Sequence, residues 1–157
     1  MKRKILFLSL IGLMACNSST DKKWSEASDL LNDRKLMEAI TIFKDIVNEN
    51  SKTHASKAQF QIAEIYLNEK KDYDIAIEEL EKVIEKYPNS TESKNALFMI
   101  SYIQNNYLNA YSNAIINYNI FLKKYPADDL TPSVKYELKG LVDHQIKIDS
   151  LIKLNNK

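Results

Sequence analysis

Ala76-Ile77-Glu78-Glu79-Leu80-Glu81-Lys82-Val83-Ile84 is the middle copy of a pattern that occurs three times. It stands 37 residues after Ala39-Ile40-x-x-Phe43-x-x-Ile46-Val47 and 38 residues before Ala114-Ile115-x-x-Tyr118-x-x-Phe121-Leu122. Apolar residues at i, i+1, i+4, i+7 and i+8 form one stripe on an α-helix, whereas a strand would alternate. The second and third copies end in Lys86-Tyr87-Pro88 and Lys124-Tyr125-Pro126. Lysine suits the negative end of the helix dipole, and proline disfavours helix at the residue before it, so both tripeptides are stops. The first copy lacks this stop. The small residue that opens each copy has a packing reason: paired helices cross there, and a larger side chain would push them apart.

Working outward, each copy is preceded by another apolar-periodic segment. These are Trp24, Ala27, Leu30 and Leu31; Phe60, Ile62, Ala63, Ile65 and Tyr66; and Phe98, Ile100, Ser101 and Ile103. Each unit is therefore a helix pair, at about 24–51, 53–88 and 91–126, and repeats of this length stack into a solenoid. Beyond Pro126, Thr131 as cap and Pro132 in the first turn open a last helix over 131–153. Its stripe is Val134, Leu138, Leu141, Val142, Ile146, Ile148 and Leu151, with Gly140 weakening the middle, and it covers the end of the array. The predicted fold is all-α. Ile62-Ala63-x-x-Tyr66, Ala76, Leu80 and Pro88, then Ala114, Tyr118 and Pro126, fall on the positions of the tetratricopeptide repeat (TPR), so residues 24–126 resemble three such repeats. Tyr66 and Ala76 are one residue further apart than in that pattern, which predicts an extended turn between the second pair.

Composition narrows the function classes. Only Gly12 and Gly140 occur in 157 residues, so no glycine-rich phosphate loop or dinucleotide fingerprint exists. One cysteine excludes an internal disulfide and every multi-cysteine metal site, and two histidines far apart suggest no metal centre; no cofactor is expected. Glu78, Glu79, Glu81 and Glu85 read as a solvated face opposite the apolar stripe, with Lys82 four residues after Glu78. His54 and His144 read as surface residues without catalytic companions.

The chain opens with Met1-Lys2-Arg3-Lys4, the apolar run Ile5–Met14, then Ala15 and Cys16. That run is shorter than the roughly 20 residues a membrane-spanning helix needs, so 1–15 reads as a cleaved secretory signal. Without it, 19 Lys and Arg face 21 Asp and Glu, with the lysines scattered, so nucleic acid is not an expected partner. Residues 16–23 read as a polar tether. Leu13-Met14-Ala15-Cys16 resembles the bacterial lipobox, which implies cleavage before Cys16, acylation of that cysteine and stable attachment to a membrane. By the same resemblance, Asn17 after the cysteine implies the outer membrane, facing the periplasm.

Lipobox, TPR-like pattern and Lys-Tyr-Pro helix ends together resemble the BamD-like lipoproteins of barrel assembly and the repeat domain of the Tol-Pal coordinating protein. This resemblance implies a scaffold that binds a protein or peptide of the cell envelope, in outer-membrane protein assembly or as a Tol-Pal-type coordination module. A small peptidoglycan-acting enzyme is the alternative from another class, although no spacing proposes a nucleophile or an acid–base pair. TPR arrays bind through the face made by the first helix of each pair, which here selects Ser28, Glu64, Tyr102 and Asn105 as groove candidates, with Phe60 and Phe98 assigned to the core.

Ala76→Leu and Ala114→Leu are each expected to cost about 1–3 kcal/mol or more, by overpacking a helix crossing. Thermal unfolding checks this, and a wild-type melting temperature for either variant would contradict the helix pairing.

Overall fold

The computed structural model describes the backbone of residues 8–155 and the side chains of residues 19–147. The basic start of the expected signal lies outside the described residues, as does the side chain of Cys16. Seven helices and no strand occur among the described residues: α1 (Leu8–Asn32), α2 (Leu36–Asn48), α3 (Ala55–Glu64), α4 (Tyr73–Lys86), α5 (Thr91–Asn106), α6 (Tyr111–Lys124) and α7 (Thr131–Asn155). The chain divides between Asp72 and Tyr73 into two compact units. No helix among the described residues is long and apolar enough to cross a membrane.

In the first unit α2 packs on both α1 and α3. Its stripe of Ala39, Ile40, Phe43 and Ile46 is buried, as are Ala27 of α1 and Ala58, Ile62 and Ala63 of α3. The Trp24 ring meets Phe43 edge-on, with centroids 5.3 Å apart. In the second unit α5 packs on α4 and α6, and α6 on α7. Tyr118, Phe121 and Ala114 of α6 form one apolar cluster with Leu97, Val134 and Leu141, and Phe98 packs against it. Phe98 thus belongs to the core side of α5. Ser90 caps α5, its Oγ accepting from the Ser93 N–H at 3.0 Å. Lys94 pairs with Asp128, which ties α5 to the α6–α7 connection. That hydrogen bond, with a second from the Leu130 N–H, holds the Asp128 carboxyl below its ordinary range.

Four local readings are corrected. First, residues 17–23 are not a flexible tether, because α1 runs through them. Thr20 is only 5% exposed. Its hydroxyl donates to Glu49 at 3.4 Å, Lys23 pairs with the same carboxylate, and Asp21 lies 3.3 Å from His54. Polar partners at the end of α2 hold this turn where apolar periodicity is missing. Second, the extra residue between Tyr66 and Ala76 does not lengthen the turn. It is taken up in a wide π-helical stretch, Ile65–Lys70, at the end of α3, and only residues 71–72 connect to α4. Third, Thr131 does not cap α7 with its side chain: its hydroxyl donates to the Tyr125 carbonyl at 2.8 Å and closes the connection from α6. Fourth, Glu79 is not on a solvated face. It is 7% exposed and paired with Lys82 at 2.8 Å. Ala76, Glu79, Leu80 and Val83 stand at i, i+3, i+4 and i+7, so Glu79 falls on the apolar stripe itself.

Each pair of helices turns on a residue of left-handed conformation: Arg34 (φ 59°), Lys71 (φ 54°) and Asn109 (φ 52°). Each precedes the small residue Ala39, Ala76 or Ala114 by the same interval, so the turns keep the period of the stripes. Only asparagine among these three adopts that conformation with ease. Lys71→Gly is therefore expected to stabilise the fold by about 0.5–1 kcal/mol and Asn109→Val to destabilise it by a similar amount or more, as read by chemical denaturation. A loss of stability in Lys71→Gly would contradict the assigned turn.

Candidate functional site

Ser28 and Glu64 belong to the first unit, Tyr102 and Asn105 to the second. Ser28 is half-buried on α1, and its hydroxyl donates to the Trp24 carbonyl at 2.8 Å, so its proton serves its own helix. Glu64 ends α3, half-buried, with Gln61 Nε2 donating to it. Burial raises its pKa above the ordinary carboxylate value. Tyr102 and Asn105 lie one turn apart on α5 and are both half-buried. The Tyr102 ring is 6.2 Å from Phe98 and 6.1 Å from Tyr107. Asn105 Nδ2 donates to Glu137 Oε2 of α7 at 3.1 Å.

This last bond marks a feature that the sequence reading missed. Between the end of α5, the head of α6 and α7 lies a cleft of about 640 Å³, lined among others by Asn105, Tyr111, Tyr136, Glu137 and His144. The Tyr111 and His144 rings meet at 5.5 Å, and Tyr111 is steadied by its hydroxyl donating to Asn109 at 2.8 Å. Gly140 also lines the cleft, and nothing stands where its side chain would be. The signal for this site was the polar and aromatic set Tyr136, Glu137, Gly140, Asp143 and His144, which recurs at helical spacing beside the apolar stripe of α7.

His54 is likewise more than a surface residue. It is half-buried, with Nδ1 2.8 Å from the Thr53 hydroxyl, Nε2 3.3 Å from Asp21, and its ring 5.3 Å from Trp24. These contacts join the α2–α3 connection to α1. Among the described residues no group of three His, Cys, Asp or Glu side chains could hold a metal ion.

Residues 57–90 and 95–128 each match the tetratricopeptide repeat family. Among solved structures, the chain is similar to the C-terminal TPR-containing domain of an FK506-binding protein of Plasmodium falciparum. The two share 18% sequence identity with a TM-score of 0.53, over 85% of this chain and 92% of that one. No curated protein matches the sequence. The fold is an all-α, TPR-like solenoid, and tandem TPRs are protein-interaction scaffolds whose partners are proteins or peptides.

Glu64 holds a charge at a cost, since burial disfavours its ionised form. With the folded pKa raised above the unfolded one, its contribution is fully favourable below the ordinary carboxylate pKa and is lost as pH rises through the folded value. Glu64→Gln should therefore raise the melting temperature at pH 7, and the gain should vanish on acidification below about pH 4. A gain that persists at low pH would contradict desolvation as the cause.

Proposed function

We propose that this chain is a lipid-anchored scaffold of a bacterial cell envelope. Cys16 carries the lipid, the repeats face the periplasm from the outer membrane, and the polar side chains of the first helices bind a protein or peptide partner in outer-membrane protein assembly. The observation that carries the binding role is the tandem pair of TPR matches over 57–90 and 95–128. Glu64, Tyr102 and Asn105 support the choice of face: all three are half-buried polar or aromatic groups on α3 and α5, and Glu64 keeps a carboxyl that its surroundings disfavour. The anchor is supported by Leu13-Met14-Ala15-Cys16, where the chain's single cysteine occupies the lipobox position. With α1 helical from Leu8 onward and held to the first unit from Thr20, the repeats would stand close to the membrane surface on this reading.

Metabolic labelling with fatty acid, followed by co-purification from detergent-solubilised envelopes, tests both parts. The wild type should carry label and bring down a defined protein, and Cys16→Ser should be unlabelled and unprocessed. Tyr102→Ala and Glu64→Ala should lose the partner while remaining folded, and Glu78→Ala and Glu85→Ala on α4 should keep it. Equal labelling of wild type and Cys16→Ser would end the anchor. Turnover of an envelope substrate by the purified chain, abolished by one carboxylate substitution, would end the scaffold.

A further inference from the structure

By its register α7 is a first helix without a second. The two matched repeats begin 38 residues apart, at 57 and 95, and one further interval reaches residue 133 in the first turn of α7. In that register Val134 and Leu141 stand where α5 has Ala96 and Ile103, and all four are buried. Tyr136 and Val142 stand where α5 has Phe98 and Gln104, which face its second helix α6. Phe98 packs on Tyr118 and Phe121, and Gln104 Oε1 accepts from Asn117 Nδ2 at 2.9 Å. No helix follows α7 among the described residues, and Tyr136 and Val142 are 79% and 41% exposed. Ile146, one turn beyond Val142, is 61% exposed. The outer side of a solenoid's last helix is ordinarily polar. Here three large apolar side chains occupy it.

Two more observations concern the same side. Gly140 weakens the helix interior, and no packing within the chain requires it, since a side chain there would meet nothing within 4 Å. A glycine on an outer face lets another backbone approach closely. Lys139 and Asp143, both exposed and one turn apart, have no ion-pair partner among the described residues. Opposite charges spaced in this way are their own complement when a copy of the helix runs the other way.

We propose that α7 pairs antiparallel with α7 of a second copy of this chain, about a two-fold axis level with Leu141. Residues equally far from the axis then face each other, each pair occurring twice: Tyr136 on Ile146, Lys139 on Asp143, and Val142 over Gly140. Moving the axis half a residue either way sets Lys139 against Val142 or His144 instead, so the charges fix the register. Lys135 and Lys147, both exposed, meet only at the edge of the contact, where water screens them. A single helix pair lies at the small end of specific interfaces, so the dimer is weak and reversible.

The test expresses the full chain as two differently tagged copies, one of them with a photoreactive phenylalanine analogue at Tyr136. Irradiation should give an adduct that carries both tags and maps to Ile146 of the second copy. Lys139→Glu in both copies brings like charges together and should lower the adduct about tenfold, and Asp143→Lys in both copies should do the same. Lys139→Glu in one copy with Asp143→Lys in the other makes every facing pair opposite again and should restore the adduct. Gly140→Leu should lower it without lowering the melting temperature, because that position is open within one chain. No adduct between wild-type copies, an adduct from Tyr136 to a different protein instead, or an adduct that survives either charge reversal carried by both copies overturns the pairing. Partner recovery that depends on Glu64 and Tyr102 reads the scaffold separately, so either can fail alone.

Discussion

Full burial of Ala39, Ala76 and Ala114 is the constraint on which the rest of the structure depends. Each begins a helix whose next turns bury a larger residue, Phe43, Leu80 or Tyr118, and each follows a left-handed turn residue by the same number of positions. The turn sets the direction in which the second helix leaves, and the absent side-chain bulk lets helices meet closely. In the first unit this brings α2 against α1, with Trp24 on Phe43; in the second it brings α6 against α5, with Phe98 on Tyr118 and Phe121. Substituting the alanine and substituting the turn residue therefore attack the same step from opposite ends.

Polar groups that break the local rule give each unit its chemistry. In the first unit Glu64 keeps a carboxyl in surroundings that disfavour its charge, and the Asp21, Lys23, Glu49 and His54 set fastens the start of the helix pair. In the second, the Asn105–Glu137 bond spans α5 and α7, and the fully buried Tyr118 hydroxyl has no hydrogen-bond partner among the described residues. Such departures from consistent patterning are found where a protein keeps a group for a purpose other than stability.

The all-α fold was legible because it depends on one-dimensional periodicity: stripes of 3.6-residue spacing, a 37- and 38-residue period, and Lys-Tyr-Pro stops all appear along the chain. Departures from a simple stripe were harder to read. Glu79 was assigned by its charge although its register with Ala76 and Val83 placed it on the buried side. Thr20 and Asp21 lacked apolar periodicity, and their partners Glu49 and His54 come from another helix and its connection, which no local pattern announces. The π-helical turn at Ile65–Lys70 absorbed a residue that spacing alone assigned to the loop. Of the groove candidates, Ser28 turned out to serve its own helix, while Asn105 led to Glu137 and to a cleft formed by three helices brought together only by folding.

The central claim is that the first helices of the repeats carry the recognition surface. Site-specific photocrosslinking in living cells tests it most directly, with a photoreactive phenylalanine analogue placed at Tyr102 on α5 or at Ile116 on α6, the latter 58% exposed. The account predicts a discrete crosslinked protein from position 102 and none from position 116. A crosslink from 116 with none from 102 would contradict it.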